Sequence, residues 1–450
     1  MSFMRNSSRA RRFATTAIAA LALGATLAAC SSDPGNGGGS GSADDLDAAL
    51  EAGGELTYWS WTPSAEAQVA AFEKAYPDVD VNLVNAGTNT EEYTKLQNAI
   101  TAGSGAPDVV QIEYYAFPQF ALSDSLVDLT QYGFGDLESD YSASTWGSVA
   151  IDDAIYGLPQ DSGPMALYYN ATVFEENGIE VPTTWDEYIA AAEKLHAADP
   201  SKYITADNGD AGFVTSMIWQ AGGHPFTVSG TDVSIDFTDE GSKLFADTWS
   251  QLIEDDLLAK TPAWSDEWFR GLGDGTIASL ISGAWMPGNF ESSVPEGAGD
   301  WRVAPLPTYD GTPVTAENGG GGQAVTSQSK NPALAAAFLR WLNNDEESIA
   351  IFAESGGFPS TTAELTSEDF VNQESEYFGG QKINEVLVQG AKDVSTGWQY
   401  LPYQVYANSI FADTVGQSYA NKADLNDGLA DWQKQLVEYG NTQGFTVTEK

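Results

Sequence analysis

The chain is short of the side chains from which most metal and catalytic centres are built. Its 450 residues include one cysteine, Cys30, and two histidines, His196 and His224. A lone cysteine excludes an internal disulfide, and two separated histidines without a nearby cysteine lack the ligand spacing of a zinc site. The sequence has neither a G-x-S-x-G motif nor a phosphate-binding P-loop. We therefore expect no metal and no cofactor.

Positive charge is also scarce. The chain has 19 Lys and Arg against 64 Asp and Glu, a formal net charge of −45 at pH 7. Beyond the first 29 residues the only arginines are Arg270, Arg302 and Arg340. Nucleic acids and strongly anionic ligands need a basic surface, so both are excluded as partners. The acidity itself is typical of a solvated surface and names no partner.

Long hydrophobic runs are absent apart from one near the start of the chain. Phe13 to Ala29 is uncharged, follows four arginines, and ends in small residues, which is the pattern of a secretory signal. The run is interrupted by threonine and is short for a membrane span, which needs about 20 apolar residues. We therefore predict that residues 1–29 are a signal peptide.

The residues that end this signal account for the single cysteine. Leu27-Ala28-Ala29-Cys30 resembles a bacterial lipobox, in which the chain is cut before the cysteine and the thiol carries a lipid. Ser31 to Gly41 is rich in Gly and Ser and predicts a flexible tether. We predict a lipidated Cys30 and a tether over residues 30–54, which would place the protein on the extracytoplasmic face of the cell membrane. A free or buried cysteine, or plain secretion with cleavage nearby, is the alternative.

The remaining 400 or so residues alternate short apolar strands with amphipathic helices, which predicts an α/β fold, and their number suits two domains. "ELTYWSW", "VDVNLV" and "PDVVQIE" are predicted strands. Thr184 three residues before Glu187 predicts a capped helix start, and Asn331 with Pro332 predicts another. Gly103 suits the end of a helix from about Thr90.

Aromatic residues stand at the strand ends and in Gly- and Pro-rich loops, where open α/β sheets bind ligands. Trp61 follows the first strand, Tyr114 and Tyr115 follow the third, and Trp285 lies in "SGAWMPGNF". Aromatic rings stack on the apolar face of a sugar, and carboxylates accept hydrogen bonds from its hydroxyls. A neutral polyhydroxylated ligand is therefore predicted, although any one of these rings could instead belong to a core. A glycoside hydrolase, which needs only two carboxylates, stays open at this point.

Segments along the whole body carry a family resemblance. They are "LTYWSW", "GSGAPDVVQIEYYAFPQFALSDSLVDLT", "IYGLPQDSGPMALYYNATVFEENGIEVPTTWDEY", "WQAGGHPF", "GTIASLISGAW" and "NPALAAAFLRWL". In this order the chain resembles the family 1 extracellular solute-binding proteins, the sugar-binding lipoproteins of ABC importers that are related to the maltose-binding protein.

The resemblance implies a two-lobe periplasmic-binding-protein-like fold with a ligand cleft and three hinge crossings, near 160–164, 304–308 and 354–359. Lobe 1 is then expected over 55–160 plus 309–354, and lobe 2 over 161–308 plus 355–450. Carried over residue by residue, the family's ligand contacts fall on Trp61, Thr62, Glu113, Tyr114, Tyr115, Asp161, Ser162, Trp219, His224, Trp285, Gly320, Gly321, Trp398 and Tyr400.

The function implied is that of a receptor, not an enzyme. It would bind a neutral mono- or oligosaccharide between the lobes and deliver it to ABC permease subunits in the membrane. The receptor itself is expected to be a monomer. An exported glycan-active hydrolase, or the same fold binding a non-sugar solute such as a polyol or peptide, is the alternative.

Overall fold

The protein is described by a computed structural model over residues 43–449. The predicted signal peptide and Cys30 lie outside the described residues. The strands that the structure describes are β1 (Gly54–Trp59), β2 (Val79–Val84), β3 (Val109–Glu113), β4 (Ala150–Ile151), β5 (Ala154–Ile155), β6 (Leu158–Pro159), β7 (Met165–Asn170), β8 (Thr205–Ala206), β9 (Phe226–Ser229), β10 (Asp232–Ile235), β11 (Leu258–Ala259), β12 (Ser279–Gly283), β13 (Trp301–Pro305), β14 (Gly321–Val325) and β15 (Thr446–Glu449).

Helices account for most of the remaining regular structure. The α-helices are α1 (Ala43–Ala52), α2 (Ala65–Ala75), α3 (Thr90–Ala102), α4 (Phe117–Leu122), α5 (Ala143–Val149), α6 (Ala171–Glu176), α7 (Trp185–Ala198), α8 (Ala211–Gln220), α9 (Glu240–Glu254), α10 (Asp266–Asp274), α11 (Met286–Ser293), α12 (Pro332–Asn344), α13 (Glu346–Glu354), α14 (Thr362–Leu365), α15 (Glu368–Val371), α16 (Ile383–Asp393), α17 (Gln404–Ser409), α18 (Val415–Asn421) and α19 (Leu425–Thr442). Short 3-10 segments lie at Tyr114–Ala116, Leu129–Tyr132, Phe134–Asp140, Pro295–Gly297 and Phe411–Asp413.

The first sheet has five strands in the order β2-β1-β3-β14-β6. β1 pairs in parallel with β2 and β3, whereas β14 runs antiparallel to both β3 and β6. The carboxyl ends of β1, β3 and β6 and the amino end of β14 therefore meet at one edge. Helices α2 and α12 cover one face, where Phe338 meets Tyr58 edge-on at 5.4 Å, and α3 and α4 cover the other.

The second sheet is the antiparallel set β12-β7-β13. Gly283 pairs with Met165, and Pro305 pairs with Ala166, so the end of β12, the start of β7 and the end of β13 share an edge. Successive residues of β7 alternate between two hydrophobic clusters, as a strand buried on both faces requires: Met165 and Leu167 belong to one, Ala166 and Tyr168 to the other.

These hydrophobic cores define two parts of the protein, which we call the first and second lobes. The clusters around the first sheet draw their buried members from residues 46–158 and 324–342, and those around the second sheet draw theirs from 165–316 and 358–447. The two-lobe α/β architecture predicted from the sequence is thus present.

The chain passes between the lobes three times, and the three segments lie side by side. Residues 160–164 connect β6 to β7, and residues 317–320 connect the second lobe to β14. A third segment near Pro359 pairs with Asp161, while Pro164 pairs with Glu317. The N–H of Ser162 also donates to the carbonyl of Phe358 at 3.0 Å. The central segment, 160–164, is therefore hydrogen-bonded to both of the others.

Local signals in the sequence mark helix ends correctly. Thr184 and Glu187 form the reciprocal capping box at the start of α7, with the Glu187 N–H donating to Thr184 Oγ1 at 3.3 Å. Gly103 ends α3 in the left-handed conformation, with φ of 71°. Asn331 and Pro332 stand at the start of α12, as predicted, although the Asn331 side chain makes no capping hydrogen bond.

Two predicted boundaries need correction. The tether was predicted to reach residue 54, but residues 43–52 form α1, whose Leu46 is buried in the first-lobe core because the segment is rich in Ala and Leu. The resemblance implied the second crossing near 304–308. Residues 304 and 305 instead end β13, and Leu306 and Ala316 still pack in the second-lobe core, so the crossing comes at 317–320.

Helix length and composition also bear on the membrane. Among residues 43–449, no helix is both long and apolar enough to span a bilayer.

Candidate functional site

The edge of the first sheet brings together residues that are far apart in the sequence. The Tyr114 N–H donates to the Gly320 carbonyl at 3.1 Å, and the Tyr114 hydroxyl donates to the Asp161 carbonyl at 2.6 Å. The Gly321 N–H donates to Asp161 Oδ1 at 2.5 Å. Gly320 has φ of 86°, and a Cβ there would lie 2.8 Å from the Tyr114 ring, so only glycine fits. The predicted strand-end residues therefore do form one connected surface.

A residue that sequence reasoning missed, Gln111, holds the loop after β1. Its Oε1 atom accepts hydrogen bonds from Ser60 Oγ at 2.7 Å, Thr62 Oγ1 at 2.9 Å and the Trp61 N–H at 3.0 Å. Trp61 is half-buried and meets Tyr93 edge-on at 6.3 Å. The loop is thereby fixed with the Trp61 indole and the Thr62 side chain at the sheet edge.

Glu113 lies at the end of β3 among tyrosines. The Tyr93 hydroxyl donates to Glu113 Oε2 at 3.1 Å and accepts from the Glu113 N–H at 2.8 Å. Burial raises the pKa of Glu113 to about 7, the hydrogen bonds of Tyr115 and Tyr93 oppose that rise, and the nearby charge of Asp161 adds to it.

Two more acids share this environment. Burial and the charge of Glu317 raise the pKa of Asp161 to about 7, against the lowering effect of the Gly321 N–H. Burial also raises the pKa of Glu317, although Ser144 Oγ at 2.8 Å, Ser162 Oγ at 3.0 Å and the Gly163 N–H at 2.5 Å all donate to it. A cation beside such a group would lower its pKa, whereas a carboxyl with a pKa near 7 can both accept from and donate to hydroxyls.

Glu317 also connects the two lobes, a role with no signal in the sequence. Its carboxyl group binds Ser144 of α5 in the first lobe, and its carbonyl accepts from Ser216 Oγ of α8 in the second at 2.8 Å. It lies on one crossing segment and accepts from Ser162 and Gly163 on another. Ser162 is fully buried in this arrangement, and its Oγ donates to Glu317 at 3.0 Å.

The second lobe contributes Trp285 to the site. This half-buried residue follows β12, and its Nε1 donates to the Asn318 carbonyl at 2.7 Å. Its pyrrole edge lies against three glycines, since a Cβ at Gly163, Gly283 or Gly319 would come within 3.3 Å of the ring. The indole is thus seated beside two crossing segments.

The other second-lobe aromatics divide into two groups. Trp219 is only 3% exposed, stacks on Trp398 at 5.2 Å and donates through Nε1 to the Ser395 carbonyl at 2.7 Å. Trp398 and Tyr400 are half-buried, and Tyr400 packs against the first-lobe cluster that contains Tyr114. His224 is exposed and lies beside Gly397. Tyr400 therefore reaches across the cleft, while Trp219 supports Trp398 from the core.

Half-buried and fully buried residues can now be separated among those predicted to bind a ligand. Half-buried at the facing edges are Trp61, Thr62, Glu113, Tyr115, Asp161, Gly320, Trp285, Trp398 and Tyr400; buried are Tyr114, Ser162, Trp219 and Gly321. Within residues 43–449 no group of three His, Cys, Asp or Glu side chains could hold a metal ion.

Comparison with known proteins gives a consistent family. The model of the bacterial extracellular solute-binding proteins matches residues 58–349. The arabinooligosaccharide-binding protein of Halalkalibacterium halodurans is 25% identical over 83% of this chain and 86% of its own.

Two solved structures with bound disaccharides superpose on the chain. The ABC transporter associated binding protein of B. animalis subsp. lactis, in complex with β-1,6-galactobiose, is 46% identical with a TM-score of 0.81, and the match covers 88% of this chain and 99% of that one. The galacto-N-biose/lacto-N-biose I-binding protein of Bifidobacterium longum, in complex with lacto-N-biose, is 28% identical with a TM-score of 0.77, over the same shares.

These relatives are all binding proteins, and the two solved structures are named as those of ABC transporters, which confirms a receptor over the alternative of a hydrolase. The family also indicates a location outside the cytoplasm. The chain belongs to the bacterial extracellular solute-binding proteins, as one of their two-lobe sugar-binding members and not an enzyme.

Proposed function

We propose that the protein captures a short neutral oligosaccharide, with β-linked galactobiose as the first candidate, between its two lobes. The observation that carries this proposal is the pairing of half-buried indoles from both lobes with carboxyls whose pKa lies near 7. The indoles offer apolar faces to sugar rings, and the carboxyls can exchange hydrogen bonds with hydroxyls in both directions.

Charge favours a neutral ligand. The acids Glu113, Asp161 and Glu317 crowd one edge, so an anionic ligand would add to their repulsion. At neutral pH burial leaves Glu113 and Asp161 only partly ionised, and a cationic ligand would have to shift them fully to the charged form. A polyhydroxylated ligand avoids both costs, and the 46% identical relative was solved with such a ligand, β-1,6-galactobiose.

The ligand contacts are proposed from the half-buried residues and the exposed His224. Trp61 and Thr62 would line the cleft from the first lobe, with Glu113 and Asp161 as hydrogen-bonding groups, while Trp285 would provide a stacking face from the second. The buried residues Tyr114, Ser162, Trp219 and Gly321 would act by holding these contacts in place, and Tyr115, His224, Gly320, Trp398 and Tyr400 complete the proposed surface.

The lobes are proposed to close around the sugar by rotation at the three crossing segments. We assign residues 46–158 and 324–342 to the first lobe and residues 165–316 and 358–447 to the second, on the basis of their separate cores. A ligand that contacts both lobes binds the closed form more tightly than the open one, and this difference drives closure. Small-angle scattering should therefore show a smaller radius of gyration with saturating sugar.

The proposal also includes delivery of the bound sugar to a membrane transporter. Lipid on Cys30 and a tether from Ser31 to about Ser42 would hold a monomeric receptor near ABC permease subunits, which raises its local concentration at the membrane. The relative in complex with β-1,6-galactobiose is named for its association with an ABC transporter, which supports this step.

Thermal unfolding with a ligand panel tests the binding proposal, because a ligand that binds only the folded state stabilises it. The panel is β-1,6-galactobiose, lacto-N-biose, maltotriose, sorbitol and a tripeptide. At one hundred times the Kd the gain is about 2.7 kcal/mol, so a clear rise in Tm is expected with one of the disaccharides.

Two variants test whether the sugar binds at the proposed cleft. Trp61→Ala should weaken binding of the active sugar, while Leu122→Ala, which truncates an exposed side chain at the end of α4, should not. A panel in which no sugar raises Tm, or in which sorbitol or the tripeptide raises it most, would overturn the proposal.

A further inference from the structure

Trp264 is a large apolar side chain with an unusually high exposed fraction. It is 53% exposed, compared with 40% for Leu122 and 37% for Leu244, the next most exposed large hydrophobic residues of the described chain. It lies in the loop between β11 and α10, one residue before the helix cap Ser265. No sequence pattern singles it out, because it is one of 13 tryptophans.

The backbone of Trp264 adopts a conformation that tryptophan disfavours. Its φ is +67°, and the turn around it is closed by the Ser265 N–H donating to the Pro262 carbonyl at 3.3 Å. The third position of such a turn is ordinarily occupied by glycine or asparagine when φ is positive. The other non-glycine residues with positive φ in the described part of the chain are Asn, Asp and Lys. Strain of this kind concentrates at functional sites.

The indole is held beside the proposed sugar site. It stacks on Trp285 with centroids 5.9 Å apart and planes inclined by 27°, which is an offset arrangement. Trp268, almost fully buried, supports it at 5.4 Å, and Phe269 lies at 6.1 Å. Trp264 therefore extends the aromatic surface of Trp285 outward toward solvent.

We propose that Trp264 and Trp285 form a two-indole platform on which adjacent rings of one oligosaccharide stack, so that Trp264 determines the preference for ligands longer than a monosaccharide. This inference rests on the proposed function and adds a residue to its site. Because the two indoles are stacked with offset centroids, each leaves part of its face uncovered by the other, and the exposed half of Trp264 is the surface that the second ring would cover.

The strained backbone of Trp264 allows a substitution that removes the indole without an expected loss of stability. Trp264→Gly removes the indole and also supplies the residue that the turn favours, so the ligand-free protein should have an unchanged or higher Tm. Binding of β-1,6-galactobiose, measured by calorimetric titration, should weaken about tenfold, the scale of one aromatic stacking contact. Trp264→Phe should retain most of the affinity, and Leu244→Ala, which truncates an exposed residue of α9, should retain all of it.

Each outcome bears on a different claim. Binding of β-1,6-galactobiose within twofold of wild type in Trp264→Gly, or a lower Tm of that variant without ligand, overturns the inference and leaves the proposed function standing. A wild-type protein that binds no sugar in the same titrations overturns the proposed function and this inference with it. Weaker binding at an undiminished Tm supports the platform.

Discussion

Gly283 is the position where one added methyl group should report on the geometry around Trp285. A Cβ at Gly283 would stand 2.4 Å from Trp285 Nε1 and 2.6 Å from the Asn318 carbonyl oxygen, whereas ordinary contact begins at 3.4 Å. The 2.7 Å hydrogen bond between those two atoms could not survive. The Asn318 carbonyl belongs to the backbone next to Glu317, whose hydrogen bonds hold it in place. The Trp285 indole must therefore move by about 1 Å.

The magnitude follows from two losses. Overpacking costs about 1–3 kcal/mol and the broken hydrogen bond about 1 kcal/mol, so Gly283→Ala should lower the free energy of unfolding by about 2–4 kcal/mol. A displaced Trp285 should also weaken sugar binding by about 1 kcal/mol or more, on the scale of aromatic stacking. Urea unfolding without ligand and calorimetric titration with β-1,6-galactobiose measure the two effects separately.

Gly288 provides a matched control in the same segment. It lies in α11, and a Cβ there would meet only Gly356, at 3.6 Å. Gly288→Ala should therefore be neutral or stabilise the protein by about 0.5–1 kcal/mol, with unchanged affinity. If Gly283→Ala is as stable as wild type, the packing argument fails. If it is destabilised and still binds normally, Trp285 does not contact the sugar.

Four further outcomes are expected. Trp285→Ala should lose about 1–3 kcal/mol of sugar binding in calorimetric titration, and full affinity in a folded variant would remove it from the site. Glu317→Ala leaves three donors unpaired and should cost about 3 kcal/mol or more in urea unfolding; a loss below 1 kcal/mol would contradict its bridging role. Because the folded chain holds the Asp161 proton more tightly than the unfolded chain does, stability should fall between about pH 4 and pH 7, and Asp161→Asn should flatten that slope; an unchanged slope would refute the raised pKa. Mass spectrometry of membrane-extracted protein should find lipid on Cys30, and a mature chain that begins elsewhere would rule it out.

The elements that could be predicted from sequence are those whose signals lie within a few residues. Thr184 with Glu187, and Gly103 after α3, act through neighbours along the chain, and both appear where expected. The first strands likewise follow from β-branched and aromatic residues between turn signals, and the parallel pairing of β1 with β2 and β3 brings their carboxyl ends to the predicted edge.

The contacts that organise the site could not be predicted from the sequence, because they join residues that are far apart along the chain. Gln111 acts on Ser60, 51 residues away, and Glu317 acts on Ser162, 155 residues away, so neither pairing leaves a local pattern. The second crossing, which the resemblance implied near 304–308, lies at 317–320, because β13 runs to Pro305 and Ala316 still packs in the second-lobe core. Trp264 was missed because its backbone conformation, not its residue type, sets it apart.

The position of β14 in the first sheet has a consequence for how the chain folds. This strand lies between β3 and β6, and Thr326 just after it bonds to Pro107, 219 residues earlier. A nascent chain that has not yet reached β14 has an incomplete first sheet, and without α12 one face of that sheet stays uncovered, however much of the second lobe has been made. Pairing over such distances is slow, because a long loop must close before any contact rewards it. The first lobe should therefore stay open until late in synthesis, which suits a protein of a family located outside the cytoplasm.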